Sequence, residues 1–154
     1  MWVADLQNGN YRNPVLYADY SDPDAIRVGE DYFMIASSFS NSPALPVLHS
    51  KDLVNWKVIN YCLKHVPEFR YNNPIHGCGV WAPSIRYHEG TYYVCFPMPD
   101  EGIYMTTTKD PWGEWSKPVN IRPGAGWIDP CPFWDDDGKA YLVAGVAKSR
   151  IGYK

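Results

Sequence analysis

The chain has 154 residues, enough for one ordinary domain with a sizeable core, and its formal net charge is −3. This balance, with no basic block anywhere in the sequence, argues against a nucleic-acid partner. No run of about 18 apolar residues occurs, so no membrane partner is expected either. Aromatic residues reach 16%, and fourteen Pro with twelve Gly interrupt the chain too often for long helices. These totals favour a β-rich domain.

The cellular compartment is left open by the N-terminus. Residues 1–5 lack the pattern of a signal peptide. If an export signal was removed, a periplasmic or secreted location is favoured over the cytoplasm. The four cysteines have no CxxC spacing, so a zinc site is not predicted.

A first group of four short strands is predicted before residue 61. They cover residues 25–28, 32–38, 46–49 and 56–60. The first two flank the sequence Gly29-Glu30-Asp31, which is typical of a hairpin turn. Residues 61–80 follow as an irregular loop that contains two Pro and two Gly. Loops of this length in compact domains are often functional.

The same pattern then begins again, with strands predicted at residues 83–87, 92–96, 102–107 and 115–121. Two landmarks recur with nearly the same shift along the sequence. Lys51-Asp52 returns as Lys109-Asp110, and Ile26-Arg27 returns as Ile85-Arg86. A third unit opens with strands predicted at residues 131–133 and 140–144.

A repeat of about 50–60 residues with four short strands is typical of a β-propeller blade. The sequence therefore predicts an all-β fold with blade 1 at about residues 20–60, blade 2 at about 80–121 and the start of blade 3 at about 128–154. These blades are expected to form one incomplete domain, because two blades and half of a third cannot close a ring.

Three residues precede a proline where the three units begin: Asp22, Ala82 and Asp129. Proline lacks a backbone N–H and holds the residue before it extended. The first strand of a propeller blade lines the central channel, so these positions are expected on one rim. Two carboxylates there suit acid–base chemistry on a sugar. Two alternatives stay open: Asp-Pro steps can simply start turns, and Asp24 competes with Asp22 as the first-blade carboxylate.

Aromatic residues and one histidine near these positions could bind a ligand or only support the fold. Trp81, beside the proposed rim, could stack on a sugar face, and Phe39 at a strand end could wall the same pocket. Core packing is an equal alternative for both. His76 in the irregular loop could reach the rim, although a lone loop histidine is more often solvated. Trp56 and Trp115 occupy matching blade positions and are predicted to pack in the core.

Four stretches carry a resemblance to a known family. They are SDPDAIRVGEDYF at residues 21–33, HSKDLVNW at 49–56, GVWAPSI at 79–85, and Ile128-Asp129-Pro130 with the Asp-Asp-Gly turn that follows. With these stretches in this order, the chain resembles glycoside hydrolase family 43. The members of this family are five-bladed propeller enzymes such as β-xylosidases and α-L-arabinofuranosidases. The matching stretches are spread over residues 13 to about 147.

The resemblance implies a five-bladed propeller, of which this chain supplies about the first two and a half blades. It also implies an inverting hydrolase that acts on xylose- or arabinose-containing oligosaccharides. By this resemblance Asp22 looks like the general base, and Asp129 looks like the carboxylate that tunes the pKa of the acid and orients the substrate. Trp81 and Phe39 look like walls of the sugar subsite, and Ile128 beside Asp129 is a weaker candidate.

The general acid is where this sequence departs from the family pattern. That residue is a Glu in a later blade, typically followed by Gly-Pro, and no Glu of this chain matches it. Glu101-Gly102 is rejected because it starts the third strand of blade 2. The isolated chain is therefore expected to be inactive. The alternatives are a non-catalytic carbohydrate-binding propeller, or a fragment that a second chain completes.

No cofactor is expected within these residues. In some family members a later histidine helps to hold a metal ion in the channel, so a calcium ion is compatible with the complete propeller. The sequence Asp135-Asp136-Asp137 could suggest a cation site, but before Gly138 it is interpreted as a hairpin turn.

Overall fold

The computed structural model describes residues 2–152. Its strands are β1 Asp24–Val28, β2 Asp31–Ile35, β3 Ala44–Ser50, β4 Lys57–Leu63, β5 Ser84–His88, β6 Thr91–Met98, β7 Gly102–Thr108, β8 Val119–Pro123, β9 Trp127–Trp134 and β10 Ala140–Val146. A 3-10 helix, Phe69–Asn72, lies in the loop between β4 and β5, and the helix α1, Lys148–Ile151, follows β10. No helix within residues 2–152 has the length and hydropathy to cross a bilayer.

The strands form three antiparallel sheets in succession along the chain. Two sheets have four strands in the orders β1-β2-β3-β4 and β5-β6-β7-β8, and β9 pairs with β10. Each strand therefore hydrogen-bonds to its neighbour in sequence, as in the blades of a propeller. The chain is all-β and forms part of a β-propeller, as the sequence predicted.

The β5–β6 hairpin shows why the short turns fold as they do. His88 pairs with Thr91 across a two-residue loop, and Glu89 and Gly90 both have positive φ, at 45° and 78°. Positive φ at both central positions is the geometry of a type I′ turn, which matches the twist of the flanking strands. In the β1–β2 hairpin the loop is also two residues, and Gly29 has φ 63°.

These hairpins correct one landmark of the sequence repeat. Val28 ends β1 and His88 ends β5, each immediately before its turn. Counting back from the turns makes Ile26 equivalent to Arg86. The alignment of Ile26-Arg27 with Ile85-Arg86 is therefore wrong by one residue, because it ignored the register that the turns impose.

Two predicted strand boundaries also differ from the structure. Strand β8 begins at Val119, whereas the sequence predicted a strand from Trp115. Pro118 has no N–H to donate, and Ser116 instead makes a single backbone bond to Thr107, with N···O 2.8 Å. In the third sheet, β9 begins before Asp129, so this residue lies inside a strand rather than ahead of one.

Neighbouring sheets pack face to face through alternate residues of β5 and β6. Ile85, Val94 and Phe96 are fully buried and belong to the same apolar cluster as Phe33 and Ile35 of the first sheet. On the opposite face of the second sheet, the rings of His88 and Tyr93 each lie 4.7 Å from the ring of Trp134 in the third sheet. Burial of these faces stabilises the stack of sheets, which places β1, β5 and β9 side by side.

The two tryptophans predicted to be core residues behave differently from each other. Trp115 is partly buried and packs against the apolar cluster. Trp56 is also partly buried, but it is not a member of that cluster, and its indole Nε1 donates to the carbonyl oxygen of Leu53 at 2.9 Å.

Candidate active site

Asp22 lies just before β1 and is held by two serine hydroxyls. Its Oδ2 accepts hydrogen bonds from Ser21 Oγ at 2.8 Å and from Ser37 Oγ at 2.9 Å. The backbone N of Ser37 also donates to the carbonyl oxygen of Ser21 at 2.9 Å, which joins the start of β1 to the end of β2. The carboxylate is exposed to solvent and yet fixed in orientation.

Asp129 lies in a β-bulge of the third sheet. Ile128 pairs with Gly145 and Cys131 pairs with Val143, so two residues of β9 oppose a single residue of β10. A bulge of this kind bends the strand and redirects a side chain, and bulges are common next to active sites. Asp129 has φ 49° and an exposed side chain.

Gly145 gives the bulge its shape. A Cβ at this position would lie 3.2 Å from Ile128 Cγ1 and 3.7 Å from Asp129 Oδ2. The absence of a side chain at Gly145 therefore leaves room for both predicted site residues of β9.

Arg86 of β5 contacts both Asp24 of β1 and Cys131 of β9, which shows how these three strands are aligned with one another. Asp24 Oδ2 accepts from the backbone N of Ile85 at 2.9 Å and from Arg86 Nη1 at 2.5 Å. Arg86 Nη2 reaches Cys131 Sγ at 3.0 Å. Asp24 and Cys131 each lie two residues after a predicted carboxylate, so Asp22, Ala82 and Asp129 lie at the same end of neighbouring strands. The first two lie just ahead of β1 and β5, and Asp129 is the third residue of β9.

Asp24, the rival of Asp22, has a structural role in this arrangement. Burial disfavours the charged guanidinium, but the Asp24 carboxylate outweighs it and raises the pKa of Arg86. Asp24 is thus partly buried and bonded to the neighbouring strand, whereas Asp22 is exposed.

The structure brings Phe39 next to Trp81. Phe39 and Val80 form an isolated antiparallel bridge, in which Phe39 N donates to Val80 O at 2.8 Å and Val80 N donates to Phe39 O at 3.0 Å. Gly79 permits this close approach, because a Cβ there would collide with the Phe39 carbonyl. Two aromatic residues, one after β2 and one before β5, therefore lie on adjoining backbone, both partly buried.

Trp81 is fixed at several points. Its backbone N donates to Pro97 O at 3.0 Å, and its indole Nε1 donates to Gly77 O at 3.1 Å. The guanidinium carbon of Arg150 lies 4.8 Å from the centre of a Trp81 ring. His76 precedes Gly77 and is exposed, and within residues 2–152 no hydrogen bond or ion pair joins it to the other predicted site residues.

Sequence reasoning did not identify Ser37, Arg86 or Arg150. Ser37 and Ser38 directly precede Phe39, just after β2. This position at a strand end could have indicated that Ser37 lies near the site. Arg150 belongs to α1 and contacts Trp81, which lies 69 residues earlier in the sequence. No local pattern could have indicated that contact.

Glu101, which the sequence rejected as an acid, lies in the turn between β6 and β7. It forms an ion pair with Arg70 and accepts a hydrogen bond from Tyr71 OH at 3.2 Å. Burial raises the pKa of Glu101, against the opposing effect of Arg70. The carboxyl group of Glu101 therefore ties the irregular loop to the turn between β6 and β7.

Within the described residues, no three side chains of His, Cys, Asp or Glu come together as a metal site requires. Asp135 and Gly138 close the turn between β9 and β10, with Gly138 N donating to Asp135 O at 3.0 Å. Lys139 Nζ binds Asp137 Oδ2 at 2.6 Å.

Two cavities lie away from the predicted site residues. One, of about 580 Å³, lies between the N-terminal segment and Trp56, and the other, of about 570 Å³, lies between β4 and Trp115. Neither is lined by Asp22, Asp129, Phe39 or Trp81.

The fold and these positions together define a class. The chain is a β-propeller portion in which β1, β5 and β9 lie side by side, with exposed carboxylates just ahead of β1 and near the start of β9. Phe39 and Trp81 lie on adjoining backbone between these sheets. A family model for glycosyl hydrolases, family 43, matches residues 11–153. The chain belongs to this family.

Curated relatives agree with this assignment. The chain is 40% identical over 151 residues to a β-xylosidase of Formosa agariphila. This match covers 94% of this chain and 25% of the relative. It is 39% identical over 155 residues to the non-reducing end α-L-arabinofuranosidase BoGH43B of Bacteroides ovatus, covering 94% of this chain and 28% of the relative. The chain therefore spans about a quarter of the length of these relatives.

Solved structures show the same fold. The crystal structure of the GH43 protein BlXynB from Bacillus licheniformis superposes with a TM-score of 0.78 at 39% identity. The match covers 88% of this chain and 29% of that one.

Proposed function

We propose that this chain is part of an inverting glycoside hydrolase that releases xylose or arabinose from oligosaccharides. The observation that carries the proposal is the matched pair of carboxylates. Asp22 lies just ahead of β1 and Asp129 lies near the start of β9, and both residues are exposed and have the same backbone φ. Family membership supplies the reaction class, and the relatives are named for xylosides and arabinofuranosides.

Asp22 is proposed as the general base. An inverting glycosidase needs a carboxylate that removes a proton from water on the face opposite the leaving group. Asp22 is open to solvent, and its Oδ2 is anchored by the hydroxyls of Ser21 and Ser37. This anchoring leaves Oδ1 available to accept a proton from an attacking water.

Asp129 is proposed as the second carboxylate, which adjusts the pKa of the acid and orients the sugar. The bulge that turns Asp129 out of the ladder, and the absence of a side chain at Gly145 that would crowd Ile128, support this role. Trp81, Phe39 and Ile128 are proposed as walls of the sugar subsite, because the two rings lie on joined backbone and Ile128 precedes the carboxylate. His76 is proposed to contribute at the margin of the subsite.

The general acid is proposed to be a Glu outside residues 1–154. It would come from further residues of the same polypeptide or from a second chain that completes the ring. The side chain of Glu101 is already bound to Arg70 and Tyr71 in the turn between β6 and β7, which disfavours it for this role. A calcium ion in the completed channel would also be held by residues beyond these.

The first test is native mass spectrometry of the purified protein, followed by hydrolysis assays on the assembly that it identifies. Aryl β-xylosides and aryl α-L-arabinofuranosides are the probes, and ¹H NMR of the first-formed sugar reports the anomer. Inversion with one of these substrates supports the proposal. A retained anomer, or no hydrolysis by an assembly that contains a complete ring, contradicts it.

Asp129→Asn distinguishes the enzyme from a carbohydrate-binding propeller. If Asp129 serves catalysis, the variant loses turnover while its affinity for xylose or arabinose changes little. If the Asp pair only binds sugar hydroxyls, the parent has no turnover and the variant loses affinity. Titration calorimetry alongside the hydrolysis assay separates the two results.

A further inference from the structure

Arg150 joins three segments of the chain through one guanidinium. Its Nη2 donates to Gly77 O at 2.6 Å in the loop before β5. Its Nη1 donates to Asp100 Oδ1 at 3.3 Å in the turn between β6 and β7. The group also lies over Trp81, with 4.8 Å from the guanidinium carbon to the ring centre.

Trp81 and Arg150 share an acceptor. The carbonyl oxygen of Gly77 receives the indole Nε1–H of Trp81 at 3.1 Å as well as Arg150 Nη2. The guanidinium therefore touches the ring and also the backbone group to which the ring is tied.

One face of the Trp81 indole is therefore covered by the guanidinium of Arg150. A cation over the ring of tryptophan is attracted by the negative face of the π-system. Arg150 is partly buried, at 24% side-chain exposure, so this attraction is less screened than on an open surface. A sugar that stacks on Trp81 would then use the opposite face.

We propose that Arg150 is a positioning residue, which holds Trp81 at the angle that a pentose ring requires. The inference rests on the proposed function, because it gives Trp81 the role of a subsite wall. Arg150 acts through Trp81 and not on the reacting atoms. Its loss should therefore weaken sugar binding and leave the chemical step nearly unchanged.

Arg70 provides a matched control. It binds the other oxygen of the same carboxylate, Asp100 Oδ2, at 2.9 Å. Its guanidinium lies over Tyr71, at 4.6 Å, and not over Trp81. A substitution of Arg70 thus disturbs the same ion-pair network without touching the indole.

The kinetic test compares Arg150→Gln with Arg70→Gln in the assembly identified by native mass spectrometry. Arg150→Gln is expected to raise KM for the pentoside about tenfold with kcat changed less than about twofold, the former corresponding to about 1.4 kcal/mol. Arg70→Gln is expected to lower thermal stability and leave KM within about twofold. Arg150→Lys should recover part of the loss, because it keeps the cation but lacks the fork that spans Gly77 and Asp100.

A double-mutant cycle tests whether the effect passes through the indole. In a Trp81→Ala background, Arg150→Gln should change KM less than about twofold. A full tenfold effect in that background overturns the proposal. So does an equal rise in KM for Arg70→Gln and Arg150→Gln.

A second readout does not depend on hydrolysis. The indole N–H resonance of Trp81 is assigned in the ¹H–¹⁵N spectrum by its loss in Trp81→Phe. Arg150→Gln should shift this resonance and speed its exchange with solvent, whereas Arg70→Gln should leave both unchanged. If the assembly hydrolyses no pentoside but this difference is seen, the proposed function fails and the positioning of Trp81 stands. If the resonance is the same in both variants, the positioning proposal fails whatever the activity.

Discussion

Asp22 and Asp129 share a backbone conformation that residues other than glycine rarely adopt, with φ 49° at each. They lie in different sheets, one ahead of β1 and one in the bulge of β9. A strained backbone persists only where the surrounding structure imposes it, and such positions are concentrated at functional sites. The shared φ therefore supports a shared use of the two carboxylates, in addition to their Asp-Pro sequences and their matching places in the repeat.

Asp22→Asn tests the proposed base with little disturbance of the fold. Asparagine is about as well suited as aspartate to positive φ, and its side-chain oxygen can still accept from Ser21 and Ser37. The amide cannot remove a proton from water, so kcat should fall by about 10²–10⁴-fold with KM little changed. Steady-state kinetics and a thermal melt on the same sample check this. Turnover within about threefold of the parent would exclude Asp22 as the base.

Ser37→Ala tests the anchoring of Asp22, and its neighbour supplies the control. Ser37 Oγ donates to Asp22 Oδ2, whereas Ser38 Oγ is buried and accepts from the backbone N of Leu45 at 3.2 Å. Loss of one hydrogen bond to a charged group should lower kcat by about tenfold in Ser37→Ala. Ser38→Ala should reduce stability and leave kcat nearly unchanged. The prediction fails if the two alanine variants have the same kcat.

The local turns show how much of the fold the sequence could predict. Lys51-Asp52 and Lys109-Asp110 were aligned as repeats, and the structure gives them the same turn. Asp52 N donates to Ser50 Oγ and Asp110 N donates to Thr108 Oγ1, each at 3.1 Å. Side-chain to backbone bonds of this kind span two residues, so the sequence itself contains the information.

The features that sequence reasoning missed depend on contacts between distant segments. The bulge at Asp129 requires the register of β10, and the bridge between Phe39 and Val80 joins two sheets. Arg150 meets Trp81 only after the third sheet has packed on the second. Local propensity and hydrophobic period cannot encode such pairings, so the candidate residues could be named while their mutual arrangement could not.

A comparison of Gly79→Ala with Gly77→Ala should separate the steric cost of an added Cβ from the cost of a positive φ. Gly79 has φ 90° and no room for a Cβ against the Phe39 carbonyl, whereas Gly77 has φ 68° and open space around it. Ala at Gly77 should cost about 1–2 kcal/mol for the positive φ alone. Ala at Gly79 should cost about 3 kcal/mol or more, because the bridge must also open. Urea denaturation of the two variants compares their free energies of unfolding, and an equal cost would show that the bridge to Phe39 is not tight.

The ion pairs of Asp100 with Arg70 and Arg150 should make the stability of the fold depend on pH, and the variant Asp100→Asn tests this. Burial of Asp100 acts to raise its pKa, but the hydrogen bond from Arg70 and the charge of Arg150 prevail and hold the pKa below its ordinary value. A carboxyl group whose pKa is lower in the folded state stabilises the fold above its unfolded pKa of about 3.9. That contribution is lost as the pH falls through the lower, folded value.

The variant should therefore be about 1 kcal/mol less stable than the parent at pH 7, a figure kept small because Asp100 is partly exposed. The difference should begin to shrink as the pH falls below about 4, where the unfolded chain starts to bind a proton at Asp100. It should vanish once the pH has passed through the lower pKa of the folded state, because the parent then also carries a neutral side chain. Urea denaturation of both proteins from pH 7 to pH 3 measures it, with the exposed turn residue Asp136 as the site of a control Asp→Asn change. A difference that stays constant over this range would mean that the ion pairs of Asp100 with Arg70 and Arg150 contribute nothing to folding.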